Sequence, residues 1–215
     1  MLNSNFNSWT LDSIEEYFDL VQVRSLTILD ELLAYKHEVD NYEQKFLNGL
    51  REDYFTLGGD YWNEVELENK LISPLIIFSG IQNKDFSYFL NRELRDKIGN
   101  IELSGKVDGM VATGFRNPKR PLFCLNKYKR ESDPNGNPQG QALIAMLVAQ
   151  HLSYNENQNA DRPIFGCYVI RGNWCFIALV GKEYAISTDF SCVDDEIFDI
   201  FRIMKSLRVQ IEKLI

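Results

Sequence analysis

Between residues 11 and 50 the apolar side chains Ile14, Phe18, Val21, Ile28, Leu32 and Leu33 return near every third or fourth position, with Glu and Lys between them. That spacing predicts one long helix or two shorter ones. Residues 60–62 read as a helix cap, and Leu67, Leu71, Leu75 and Phe78 form one face of a helix expected over 62–78. Pro74 falls inside this pattern, where its missing N–H predicts a kink or an early stop. Past Gly80 the character changes. Residues 86–95 suit a strand or a helix, whereas 101–113 and 122–129 read as strands bounded by Gly and Pro. The turn-rich stretch at 132–140, SDPNGNPQG, opens a helix over 141–151 that is apolar nearly all round, so it should pack on a sheet and on something else besides. Three short strands follow at 164–170, 174–180 and 183–187, joined tightly at 171–173 and 181–182. The last segment, 194–214, carries Ile197, Phe201, Met204, Leu207, Ile211 and Leu214 on one helical face and should dock along its length.

No repeat, low-complexity tract or linker divides these pieces. The expected class is α/β (α+β), a central mixed β-sheet flanked by helices over residues 59–215, with an N-terminal helical extension over residues 1–58. In that core the order is helix, strand, strand, strand, helix, strand. The apolar stripe of the extension either packs on the core or serves as a homodimer surface.

Composition narrows the partners. With 45% apolar and 13% aromatic residues in 215, the chain can bury a core, which excludes a disordered polymer. Lys+Arg 23 against Asp+Glu 31 gives −8, which excludes a sequence-blind polyanion binder. Residues 1–10 lack a basic or apolar leader pattern, and the longest dense apolar run, 142–149, is too short to span a bilayer. A cytoplasmic protein without a membrane partner is therefore expected. Cys124, Cys167, Cys175 and Cys192 lie in apolar segments without C-x-x-C spacing, which argues for buried thiols over a zinc knuckle or a disulfide framework.

Chemistry is narrowed as well. The two histidines, His37 and His151, both fall within predicted helices, leaving little from which to build a Ser-His-Asp or Cys-His site. Neither a nucleophile elbow, nor a phosphate-cradling P-loop, nor a dinucleotide-binding G-x-G-x-x-G turn occurs. What remains is Asp108, a single carboxylate in the strand sequence SGKVDGMVA, beside glycines that allow close approach of a backbone or ligand. In the next strand Phe123 and Leu125 share a face with Lys127 and Lys129 by the period of two, and Glu64, Glu66 and Glu68 stand on the upstream helix.

These residues resemble the restriction-endonuclease-like, or PD-(D/E)XK, nuclease superfamily, and within it a group of proteins from Bacteroidetes. The matching segments are Trp62–Leu67 (WNEVEL), Leu103–Asp108 (LSGKVD), Tyr128–Lys129, Asp133–Pro134, Gly140–Gln141 and Ala149–Gln150, in the family's order. The resemblance runs from about Trp62 to the C-terminal helix. It implies a helix–strand–strand–strand–helix–strand core and hydrolysis of phosphodiesters with Mg or Mn, because a divalent cation neutralises developing charge and delivers hydroxide at neutral pH. Carried over by position, it implies Asp108 as the first metal carboxylate, Glu66 as a helix carboxylate near the metal, Lys129 as the lysine that orients water or phosphate, and Gln141 near the substrate. Glu64 and Glu68 neighbour Glu66, so the register of the helix carboxylate stays open.

One position departs. Where the family carries the acidic residue of E-x-K, this chain has Lys127. An ammonium about 4 Å from a dication, at an effective dielectric near 20, is repelled by about 8 kcal/mol. The ammonium could instead pair with Asp108. Three readings follow: a nuclease-fold protein that binds nucleic acid through a degenerate metal site, an active nuclease with Glu131 or a helix glutamate as substitute ligand, and a non-catalytic protein-interaction module. Charge placement bears on all three. From Gly105 to Arg130 stand Lys106, Arg116, Lys119, Arg120, Lys127, Lys129 and Arg130 against Asp108 alone, seven charges to one, so the remainder of the −8 chain carries −14. That edge is expected to contact phosphates, DNA in the first instance, with steep salt dependence; the alternative is an ordinary solvated hairpin. Stacking on single strands has thin support, with only Phe115, Phe123 and Tyr128 in the segment.

Overall fold

The computed structural model describes residues 2–128, 137–157 and 162–215. The chain enters through β1 (Leu2–Asn5), then α1 (Leu11–Phe18), β2 (Val21–Gln22), α2 (Thr27–Leu33) and α3 (Asn41–Thr56). The region expected as one or two helices thus holds three. Thr10 and Asp40 each close a capping box at the start of α1 and α3, and Asp19, in the left-handed conformation at φ 54°, ends α1. His37 lies outside these helices, in the connection between α2 and α3, with its Nε2 2.8 Å from Glu43 Oε2. The periodic stripe misplaces it because α2 is short and ends at Leu33, and α3 begins only after its Asp40 cap.

The helix expected over 62–78 forms as three consecutive pieces: α4 (Glu64–Leu67), a wide π turn (Glu68–Ile72) and α5 (Ser73–Phe78). Pro74 explains the widening. Its ring would collide with the carbonyl one turn back, and the Ser73 N–H reaches instead to the Glu68 carbonyl, five residues earlier. The helix is bent there, not ended.

Residues 86–98, open between strand and helix in the sequence, form β3 (Phe86–Ile98), paired along its length with β4 (Ile101–Thr113). β5 (Pro121–Tyr128) returns antiparallel to β4. α6 (Pro138–Asn157) then crosses over to β6 (Ile164–Ile170), which runs parallel to β5. β7 (Asn173–Val180), β8 (Glu183–Ile186) and β9 (Phe190–Ser191) complete the sheet before α7 (Ile197–Leu214). The β6–β7 turn places Arg171 and Gly172 at φ 49° and 88°, the twist that a two-residue hairpin requires. Among the described residues one mixed sheet of nine strands runs β1-β4-β5-β6-β7-β8-β2, with β3 on the other edge of β4 and β9 paired to β7.

The fold is therefore mixed α/β, a large mixed sheet flanked by helices. The first 58 residues are more than a helical extension: β1 pairs parallel with β4 and β2 with β8, so they help to build the same sheet. One sheet face packs Phe123, Leu125, Trp174 and Phe176 against α5 and α7. The other packs Met110, Ile177 and Tyr184 against α6 and the N-terminal Phe6, Trp9 and Ile14. α6 is buried from Ala142 to Ala149, as its apolar circumference requires. Asn137 caps it, with the Gly140 N–H 2.7 Å from its side-chain oxygen, and Pro138 opens it, so the helix starts four residues before the apolar run. Among the described residues no helix is long and apolar enough to cross a membrane.

Candidate functional site

Asp108 stands where the sheet forks. β3 occupies one edge of β4, so β1 and β5 share the other: β1 pairs through Ser104, and β5 pairs from Gly109 with Leu125 onward. Asp108 falls between the two ladders, where β5 parts from β4. The regular alternation of faces also breaks here. Val107 and Met110, three residues apart, are both buried in the core on the α6 side, which a strictly pleated strand forbids. Across the β3 ladder, between the pairs Leu90–Gly109 and Arg92–Val107, Asn91 adopts φ 51° and absorbs the same irregularity. Asp108 is half-buried at this kink.

Gly109 makes room for Tyr88 of β3: a Cβ at Gly109 would overlap the Tyr88 hydroxyl. Around that hydroxyl gather Glu68, Asp108 and Ser73. Burial pushes the Tyr88 phenol well above the ordinary tyrosine range, the Glu68 and Asp108 charges push it further, and the Ser73 hydroxyl opposes them. The Ser73 Oγ is itself buried and makes no hydrogen bond of good geometry among the described residues. Tyr88 therefore stays a neutral hydroxyl between two carboxylates.

Glu68, rather than Glu66, is the helix carboxylate whose charge acts on Tyr88 together with that of Asp108. Glu68 is buried at the first position of the π turn. Glu66 closes the α4 capping box: its Oε2 accepts the Asn63 N–H at 3.0 Å and its Oε1 meets Lys70 Nζ at 3.3 Å. Those two partners hold the Glu66 carboxyl below its usual range. The sequence does carry a signal for Glu68. It precedes Leu71 by three and Ile72 by four, which puts a carboxylate on the apolar stripe, whereas Val65 and Glu66 turn away from it. Tyr88 was not foreseen because its strand was indistinguishable from a helix by period.

On β5 the backbone of Lys127 pairs with Val169 of β6, two residues beyond Leu125. Asn126 between them is buried, and its Oδ1 finds no hydrogen-bond partner among the described residues. One step beyond the last β4–β5 pair, Asn126 is the β5 position facing Asp108 across the fork. Lys129, Arg130 and Glu131 lie outside the described residues. Gln141 is half-buried in the first turns of α6, and the neighbouring Gln139 donates to the Tyr168 hydroxyl at 3.0 Å.

The described part of the basic segment does not form one continuous edge. Lys106 is exposed on β4 opposite Glu93, and Arg116 and Lys119 are exposed in the β4–β5 connection, five or more residues and so about 16 Å or more along β4 from Asp108. Arg120 is half-buried and donates to the Leu214 carbonyl at 3.1 Å, fastening the end of α7. His151 sits on α6 with its Nδ1 2.7 Å from Asp96 Oδ2 of β3, a contact between elements away from the fork. Among the described residues no three His, Cys, Asp or Glu side chains gather closely enough to hold a metal ion. What gathers at the fork is two carboxylates around a neutral phenol, with the buried Asn126 amide on the opposite, α6 face of the sheet and a lysine position next to it on β5. No family model matches the chain, and no curated protein matches it significantly.

Proposed function

We propose that this chain is a restriction-endonuclease-like, PD-(D/E)XK-type protein that binds nucleic acid, DNA in the first instance, through a metal site weakened by Lys127. The observation that carries the reading is Asp108 at the fork of β4 and β5, with buried Glu68 facing the same Tyr88 hydroxyl. The order from α4 through β6, with β5 and β6 parallel across α6, supports it as the arrangement that the resemblance implies. The donor set does not suit a magnesium ion. Glu68 and Asp108 offer two carboxylates, but the strand position that should add a third carries an ammonium, and a dication beside it is repelled by about 8 kcal/mol at an effective dielectric near 20. Binding without cleavage is what remains: basic side chains neutralise phosphates, and the neutral Tyr88 hydroxyl is held as a donor at the edge of the site.

Calorimetric titration with manganese and a plasmid-cleavage assay test this. The natural protein should show neither specific binding nor cleavage, and Lys127→Glu should raise manganese affinity at least tenfold, since it removes a repulsive charge and adds an oxygen ligand. A second reading rests on the burial of Glu68 at the Tyr88 hydroxyl on which Asp108 also acts: the helix glutamate replaces the missing ligand and the protein cleaves. Metal-dependent cleavage by the natural chain, lost in both Asp108→Ala and Glu68→Gln, would establish that reading and overturn the first.

A further inference from the structure

A groove of about 620 Å³ opens on the α6 face of the sheet, at the end where β5 and β6 finish and α6 begins. Its walls are the first turn of α6 (Pro138, Gln139), the adjoining ends of β6 (Tyr168, Ile170) and β7 (Asn173), and the segment that follows β8 (Thr188, Asp189). The volume suits a small planar ligand, and the place, outside the carboxyl ends of a parallel strand pair joined by a crossover helix, is where α/β sheets bind ligands. Tyr168 pairs across the ladder with Asn126, the residue facing Asp108 over the fork. Groove and fork therefore lie toward the same end of the β5 and β6 strands, on opposite faces of the sheet.

The lining selects the ligand. Among the described residues no Lys, Arg or His lines the groove, and the one charge described there is the exposed carboxylate of Asp189. The described lining therefore offers a carboxylate and neutral polar groups to a ligand. Side-chain amides (Asn137, Gln139, Asn173) and hydroxyls (Tyr168, Thr188) surround the carboxylate, and Pro138 and Ile170 offer apolar surface to the face of a ring. Gln139 spends its Nε2 on the Tyr168 hydroxyl, which leaves its Oε1 to accept a further hydrogen bond. A carboxylate with neighbouring acceptors calls for parallel N–H donors on a flat edge. Among the common bases guanine presents two side by side, N1–H and the N2 amino group.

We infer that this groove is a base-binding site that takes an unpaired guanine of the bound nucleic acid, with Asp189 accepting from its N1–H and N2–H. The inference rests on the nucleic-acid reading for the source of the guanine, and the chemistry of the groove for the choice of base. An extruded base is read in this way, by its hydrogen-bonding edge inside a pocket.

The test uses the full chain and two sets of probes. In the first, deoxyguanosine monophosphate and deoxyinosine monophosphate, which lacks the N2 amino group, are titrated by calorimetry into the natural protein and into Asp189→Asn, whose exposed site leaves folding undisturbed. The guanine nucleotide should bind at least tenfold more tightly than the inosine nucleotide, and Asp189→Asn should erase that ratio. Equal binding of the two, or an unchanged ratio in Asp189→Asn, overturns the inference. In the second, a thymine oligonucleotide with one central guanine is compared with the all-thymine strand. A guanine preference lost in Asp189→Asn supports the site. Strand binding without any guanine preference overturns the groove assignment and leaves the nucleic-acid reading standing. Selective binding of the mononucleotide with no binding of either strand keeps the base site and overturns the nucleic-acid source.

Discussion

Tyr88 shows how a single side chain takes its character from its neighbours. Burial comes first among the causes that raise its phenol, followed by the charges of Glu68 and Asp108. The same direction holds for Tyr54, raised by burial and by Asp60, for Tyr168, raised by burial and by Cys175, and for Tyr184, raised by burial and by Glu15. The sign of the linkage follows. The folded pKa of each lies above the unfolded value near 10, so the stability that comes from keeping these phenols neutral is intact below pH 10 and is lost as pH rises through the folded values. An absorbance titration read beside circular dichroism should therefore find at least four of the ten tyrosines ionising only as the fold is lost. Ionisation of all ten before any loss of structure would contradict the packing around Tyr88, Tyr54, Tyr168 and Tyr184. The thiols follow the same rule, with burial pushing Cys124 and Cys192 up to about 12.

At the scale of an element, α3 is fixed at its start by a carboxylate that serves three partners. Glu43 completes the capping box with Asp40, meets His37 Nε2 at 2.8 Å through one oxygen and Lys205 Nζ of α7 at 3.0 Å through the other. Burial alone would raise its pKa, but the hydrogen bonds from His37, Lys205 and the Asp40 N–H outweigh it and hold the carboxyl below the usual range. Glu43→Gln keeps the capping geometry and loses the charge, so it should cost about 1–2 kcal/mol in chemical denaturation at pH 7. Because the folded pKa is depressed, that stability is present above the unfolded value and vanishes as pH falls through the folded one. The gap between the two proteins should close in acid. A gap that persists unchanged at low pH would mean that shape, not charge, carries the effect.

Across the whole molecule, the tertiary structure divides a basic segment that is continuous in the chain. Arg116 and Lys119 are exposed at the hairpin tip, whereas Arg120 turns inward to the Leu214 carbonyl. The three should therefore separate in experiment. Arg116→Glu and Lys119→Glu should weaken DNA binding and flatten its salt dependence, by about one unit of slope per phosphate contact removed, with stability unchanged. Arg120→Glu should lower stability by about 1–3 kcal/mol, because it strips the end of α7 of a charged donor and leaves an acid in its place. Equal effects of all three on DNA binding, with no stability change in any, would place Arg120 on the surface and contradict the docking of α7.

The local pattern was sufficient for much of the architecture. Strands β4 and β6 and the dominant stripes of α5, α6 and α7 follow from periodicity, because a period of two or of 3.6 is written into the apolar positions themselves. The candidate Asp108 was legible for a similar reason: a lone carboxylate among apolar strand residues and glycines is conspicuous in any arrangement. Periodicity could not reveal β1 and β2, which are short and polar and exist as strands only because β4 and β8 offer them partners. Nor could it settle β3, whose charged positions follow neither period until β4 pairs with it. The choice of Glu68 over Glu66 depended on the π turn and on which oxygen the Asn63 cap had already engaged. The groove beside Asp189 gathers side chains from α6, β6, β7 and the segment after β8, and only the crossover that lays β6 beside β5 brings them to one end of the sheet. Local sequence determines which face of an element is apolar. Which polar groups then meet is decided by the pairing of strands far apart in the chain.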